Sequence, residues 1–447
     1  MTSQPGQTGP EVLQHKAYGG RTFILNRPKA LNALNLAMVR AMTPQLQAWD
    51  QSDLCKVIMI KSDHPKAFCS GGDTNGSCLT TAMMMWIAVI EKAKEQDVDA
   101  LTFFKEEYQL NHLIATLMKP YVALINGYTM GGGVGLSVHA PFRVATEKTV
   151  FAMPETIIGF FPDVGGTFFL PRMDGETGTY LALTGHRLSG EDVIYAGIAT
   201  HYVLSHRLPA LEERLNELES EDLEVINMAI EEFSAEPTKA TYSLGPHRAA
   251  IDRCFKFNTI HEIFAALEKE GGEWAGKTLA TLRQMSPTSL QVTLSQLRAG
   301  REMTIGEALK AEYALMDADF YEGVTARLVE KREPRWSPAT VEELDLESIK
   351  QRYFNDQASS TLELLTKRDY AQYPYARHTL PSEEDVRQLV LGHSAGASNV
   401  RMSAHDIVSI LGREWSGRMF VRERVEEIIA RCCSQDKGEG ITWSAPI

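Results

Sequence analysis

The chain has 447 residues, of which 44% are hydrophobic and 23% charged, with a formal net charge of −13; this is a globular composition, long enough for two or three structural units. The acidic balance argues against nucleic acid as the main ligand, because phosphate binding needs a basic surface, and an anionic ligand would need locally placed lysines or arginines. The six cysteines show no CxxC pair and no zinc spacing, so they read as reduced thiols, and no apolar run is long enough to span a membrane.

Residues 1–10 are rich in Ser, Thr, Gln, Gly and Pro and are predicted to be disordered. The first twenty residues hold one lysine, one glutamate and no arginine, a poor transit peptide. Gly20 to Asn26 reads as the first strand, and Lys29 stands in the loop after it. Ala33 to Asp50 is an amphipathic helix with Leu34, Met38, Met42, Leu46 and Trp49 on one face. Val57 to Ile60 is a second strand, and Ala67-Phe-Cys-Ser-Gly-Gly-Asp73 leaves it through Gly71 and Gly72. In residues 74–97 the cluster Met83 to Trp86 reads as core or as an adaptable lid. A helix over Ala100 to Met118 places Glu107 with Phe103, Phe104 and Leu110 or Asn111, near the core face.

Residues 121–172 are the centre of the chain. Tyr121 to Ile125 is a buried strand ending in the turn Asn126-Gly127. Gly131, Gly132 and Gly133 follow, where no side chain blocks a ligand, and a helix starting on them offers unpaired N–H groups to an oxygen gaining charge. Glu155 and Asp163, each beside a proline, sit among Phe151, Met153, Ile157, Ile158, Phe160 and Phe161, where a carboxylate is costly without work or a partner. Two glycine turns facing a pair of buried acids suggest an oxyanion hole at a site that attacks or enolises a carbonyl.

The stretches Leu181 to Gly185 and Ala196 to His201 read as a helix pair that closes this unit. Residues 207–325 have a helical pattern, with Ser286-Pro-Thr-Ser289 capping a helix from Leu290 to Leu297. Gln372 to Arg377 reads as a linker, Ser382 starts a capped helix, and two more helices are expected over 404–412 and 417–433.

The motifs NRPKALNAL (26–34), AFCSGGD (67–73), NGYTMGGGVGLS (126–137) and MPETIIGFFPDVGG (153–166) resemble the crotonase (enoyl-CoA hydratase/isomerase) superfamily, and within it the 3-hydroxyisobutyryl-CoA hydrolases, over roughly residues 12–355. The resemblance implies an α/β fold: a crotonase-like ββα spiral core with two stacked sheets over 12–205, a helical, trimerisation-type region over 206–350, and a further helical extension over 356–447. It implies a mitochondrial protein that acts on an acyl-CoA in valine catabolism as a homo-oligomer, with coenzyme A as part of the substrate and with no metal, no separate cofactor and no membrane.

Carried over position by position, the family pattern makes Gly72 and Gly132 the oxyanion donors and Glu155 the catalytic acid shared with hydratases. Asp163 takes the place of a hydratase glycine. Gly135 stands where hydratases carry a second glutamate, which lowers a hydratase or isomerase reading and raises a hydrolase one. The hydrolases place a substrate-contacting glutamate at Glu107, and coenzyme A is expected at Lys29, Ala67, Gly71 and Lys331, with Arg332 beside the last. Glu155 would attack the carbonyl or act as general base on water, while Asp163 orients the substrate hydroxyl or the leaving sulfur. A rival expectation is a structural subunit of the mitochondrial small ribosomal subunit, docked through the C-terminal extension.

Overall fold

The computed structural model describes residues 9–71, 98–238, 242–315, 319–354, 362–392, 402–435 and 440–444. The expectations placed on Gly72, Asp73 and the cluster at 83–86 lie outside these residues.

A six-stranded sheet runs in the order β1 (Val12–Ala17), β2 (Gly20–Leu25), β3 (Val57–Ser62), β5 (Tyr121–Ile125), β7 (Phe142–Ala145) and β10 (His201–Tyr202). A four-stranded sheet holds β4 (Ala67–Cys69), β6 (Tyr128–Met130), β8 (Val150–Ala152) and β9 (Leu188–Ser189). The consecutive pairs β3/β4, β5/β6 and β7/β8 each give one strand to each sheet, which is the expected ββα spiral. Within these two sheets, among the described residues, the pairings from β2 through β10 and from β4 through β8 are parallel, and the flanking β1/β2 and β8/β9 pairings are antiparallel. Strands covered on both faces read as continuous apolar runs, as Tyr121–Ile125 does, with all five residues buried.

Helix Leu36–Asp50 begins three residues later than its apolar pattern, because Asn35 caps it, its side-chain oxygen accepting the Met38 N–H at 2.9 Å. Helix Val98–Ala115 packs against it and brings Glu107, Tyr108 and Asn111 into the interior. The helix expected over Ala196 to His201 is instead a turn leading to β10, which pairs with β7. The β-branched and aromatic run Thr200-His-Tyr-Val203 suits a sheet edge better than a helix.

The C-terminal helices pack on the core. Val386, Ile407, Leu411, Val425 and Ile428 belong to the same hydrophobic cluster as Phe160 and Leu290. Buried arginines tie the two parts: Arg418 bonds Glu231 and the Thr200 carbonyl, Arg424 pairs with Asp174, and Glu383 lies between Arg248 and Arg431 at 2.7 and 2.6 Å. Such pairs specify how the parts fit, because breaking one strands a buried charge.

Candidate active site

The parallel strands β4, β6 and β8 end at one edge of the smaller sheet, and the chain leaves each through residues of the expected site: Gly71, the Gly131 to Gly133 turn, and Pro154-Glu155. Backbone contact makes the glycines necessary. A Cβ on Gly71, whose φ is +51°, would stand 2.6 Å from the Met130 carbonyl oxygen, and one on Gly133 would stand 2.5 Å from that of Cys69. Gly131 has φ +46° and caps a single helical turn, Gly132–Gly135, whose first N–H groups have no partner within the turn.

Two carboxyl groups reach this turn, and a third lies close to them. A Cβ built on Gly131 would lie 3.4 Å from Glu155 Oε1, and one on Gly132 would lie 2.7 Å from Glu107 Oε1. Asp163 is reached through Tyr108, whose hydroxyl donates to Asp163 Oδ2 at 2.9 Å. Glu107, Glu155 and Asp163 are all buried, and Glu155 Oε2 has no hydrogen-bond partner among the described residues. Phe160, in the loop between Glu155 and Asp163, is stacked on Phe161 at 4.2 Å between ring centroids and packs against Phe104 and Phe320.

Burial is the main force on these acids. It pushes Glu155 well above the carboxylate range, with the nearby Asp163 charge adding to the shift. It does the same to Glu107, next to Asp163 and Glu155. Asp163 rises only to about 7, because the Tyr108 hydrogen bond favours its charged form. A carboxyl group raised to about 7, as Asp163 is, can take up or release a proton near neutral pH.

The turn carrying Asp163 is held from behind. Val164 and Gly165 both have positive φ, at +50° and +88°. Glu312, from helix Ile305–Ala314, accepts the Gly165 N–H at 2.8 Å and the Thr167 N–H at 2.9 Å, and His139 Nε2 bonds the Val164 carbonyl at 2.8 Å. Burial raises Glu312 to about 8 and lowers His139 to about 4, so His139 is neutral and donates to that carbonyl. Sequence reasoning missed Glu312, Tyr108 and His139; the apolar neighbours of Glu312, from Ala311 to Leu315, were the available signal.

The residues expected to meet coenzyme A are spread along the chain. Ala67 opens β4 and is buried with Gly71, whereas Lys29 and Lys331 are exposed, Lys331 in a left-handed turn. Arg332 is engaged by Glu322 and Glu330. A separate cavity of about 480 Å³ lies behind Val138 and His139, between the core and Tyr373 and Leu380, away from the acids. Among the described residues no cluster of His, Cys, Asp and Glu has a metal-binding arrangement.

A two-sheet spiral with buried acids at a glycine turn defines the class as crotonase-like. Residues 20–354 match the family model described as enoyl-CoA hydratase/isomerase, and the chain belongs to that family. The carnitinyl-CoA dehydratase of Mycobacterium thermoresistibile superposes with a TM-score of 0.70 at 32% identity, covering 79% of this chain and 99% of that one. An enoyl-CoA hydratase of Rhodobacter sphaeroides superposes with a TM-score of 0.66 at 35% identity, covering 77% and 97%. The human mitochondrial 3-hydroxyisobutyryl-CoA hydrolase is 46% identical over 361 residues, 79% of this chain and 90% of its own. The small ribosomal subunit protein mS47 of Neurospora crassa is 44% identical over 466 residues, 98% of this chain and 89% of its own.

Proposed function

We propose that this protein hydrolyses 3-hydroxyacyl-CoA thioesters, with 3-hydroxyisobutyryl-CoA as the expected substrate, to free acid and coenzyme A in mitochondrial valine catabolism. The observation that carries the reading is at Gly135. The direction a side chain would take there is occupied: a Cβ would meet Asn111 Nδ2 at 2.7 Å and Val164 Cβ at 2.8 Å. Gly135 supplies no second carboxylate to hold a water against the β-carbon of an enoyl group, and one placed there would have to displace Asn111 and Val164, while Asp163 supplies an acid a short turn away from Glu155. The four 3-hydroxyisobutyryl-CoA hydrolases of chicken, zebrafish, human and Xenopus laevis are 45–47% identical to this chain, which supports the same chemistry.

In this reading the thioester oxygen lies against the Gly132 and Gly72 N–H groups, which stabilise the charge it gains when the carbonyl is attacked. Glu155, beside that turn, either attacks the carbonyl carbon to give a mixed anhydride, which water then hydrolyses to the free acid and regenerated Glu155, or takes a proton from the attacking water. The C–S bond breaks, and the sulfur leaves as a thiolate that takes up the proton given by the consumed water. Asp163 and Glu107 hold the hydroxyacyl end, and Lys29, Ala67, Gly71 and Lys331 meet the coenzyme. Free-thiol detection over a panel of acyl-CoAs tests this: release from 3-hydroxyacyl thioesters is expected, and no release from any of them rejects it.

A second role in the mitochondrial small ribosomal subunit is favoured by one observation: the match to the mS47 protein covers 98% of the chain, whereas the hydrolase matches cover 74–81%. The C-terminal extension is the proposed docking surface. Sedimentation of mitochondrial lysate tests this, with co-migration of the protein with the small subunit expected and confinement to the soluble fractions contradicting it.

A further inference from the structure

Helix Val98–Ala115 presents a side chain that the chemistry above does not use. Asn111 is fully buried, and neither its Nδ2 nor its Oδ1 has a hydrogen-bond partner among the described residues. A buried amide with both ends unpaired is expensive and calls for an occupant. Asn111 follows Glu107 by four residues, so the two share one face of the helix. Glu107 Oε1 lies against Gly132 and the Asn111 amide against Gly135, so both reach the same glycine turn. The side chain of Val164, next to Asp163, meets the same point on Gly135.

We propose that the Asn111 amide is the specificity group for the hydroxyl of the acyl chain, an inference that rests on the 3-hydroxyacyl reading of the site. A carboxyl group such as Glu107 or Glu155 offers a donor only while it is protonated. A primary amide has both a donor and an acceptor, and an alcohol needs both: its O–H donates to the amide oxygen and its oxygen accepts from the amide N–H. Gly135 makes this possible, because any side chain there would take the space the amide occupies. A site built around an unpaired polar group rejects the analogue lacking the hydroxyl, since that analogue leaves the amide unpaired.

The test uses two coenzyme A thioethers that cannot be hydrolysed, the 3-hydroxy-2-methylpropyl and the 2-methylpropyl compounds, with binding measured by calorimetry. The wild type is expected to bind the hydroxylated thioether at least about tenfold more tightly. Asn111→Leu should bring that ratio close to one, leave the 2-methylpropyl affinity within about twofold, and keep or raise the melting temperature, because two unpaired polar atoms are removed. Asn111→Ala should show the same collapse, which guards against a packing fault peculiar to leucine. Equal weakening of both thioethers, or a ratio that persists in both variants, overturns the assignment, as does a wild type with no preference. Thiol release from the true thioesters is scored separately, so a protein that discriminates without cleaving rejects the hydrolase reading and leaves Asn111 as a hydroxyl-binding group.

Discussion

The Tyr108 hydroxyl donates to Asp163 Oδ2 at 2.9 Å, and both residues are buried. This bond opposes the effect of burial on Asp163, whose pKa rises to about 7. Tyr108→Phe removes it with little change of shape. The acidic limb of the pH profile of kcat/KM should then move upward by roughly one unit, because the charged form of Asp163 loses its donor. An unmoved limb with unchanged kcat/KM would mean that Asp163 does not titrate in the reaction.

Stability should depend on pH in the opposite sense from activity. Glu107, Glu155, Asp163 and Glu312 all have pKa values raised by burial, Asp163 to about 7 and Glu312 to about 8. An acid with a raised native pKa holds its proton more tightly when folded than when unfolded. Its contribution is complete below the unfolded value and is lost as pH rises through the native one. The urea midpoint should therefore fall between about pH 5 and pH 8, while activity rises as the acids ionise. A midpoint that climbs over that range would contradict the assignment of these shifts.

Glu312 positions the Asp163 turn without touching substrate. Glu312→Ala strands the N–H groups of Gly165 and Thr167 in the interior and should cost about 3 kcal/mol in urea unfolding. In protein that remains folded, kcat should fall more than KM changes, because Asp163 loses its aim rather than its charge. The fall in stability between pH 5 and pH 8 should also become shallower, since one raised acid is gone.

Gly135 is closed to substitution. Gly135→Ala places a Cβ within 2.8 Å of Asn111 and Val164 and should cost about 1–3 kcal/mol by overpacking, read from the melting temperature. Gly135→Glu should be worse folded and should gain no hydration of crotonyl-CoA. A well-folded Gly135→Glu protein that hydrates crotonyl-CoA would show that the Asn111 side chain yields and that the missing glutamate alone separates the two reactions.

Much of this site is legible in the sequence because its parts are local. The glycine turn at 131–133 follows a β-branched strand, and Glu155 and Asp163 are acids in an apolar run, so composition over short windows exposes them. Glu107 is legible only as a face of a helix, and whether that face is buried depends on what packs against it. Glu312 lies about 150 residues from the turn it holds, and nothing near it in sequence points to Gly165. The Ala196 to His201 stretch shows the limit from the other side: its apolar residues suit helix or strand, yet it folds as a turn whose last residue, His201, opens β10 and pairs with β7.

The most direct measurement follows crotonyl-CoA absorbance and free thiol from 3-hydroxyisobutyryl-CoA side by side, with Glu155→Gln as the control. The account predicts thiol release by the wild type, a loss of at least about a thousandfold in Glu155→Gln with an unchanged melting temperature, and little or no hydration of crotonyl-CoA. Rapid hydration of crotonyl-CoA with no thiol release would contradict it.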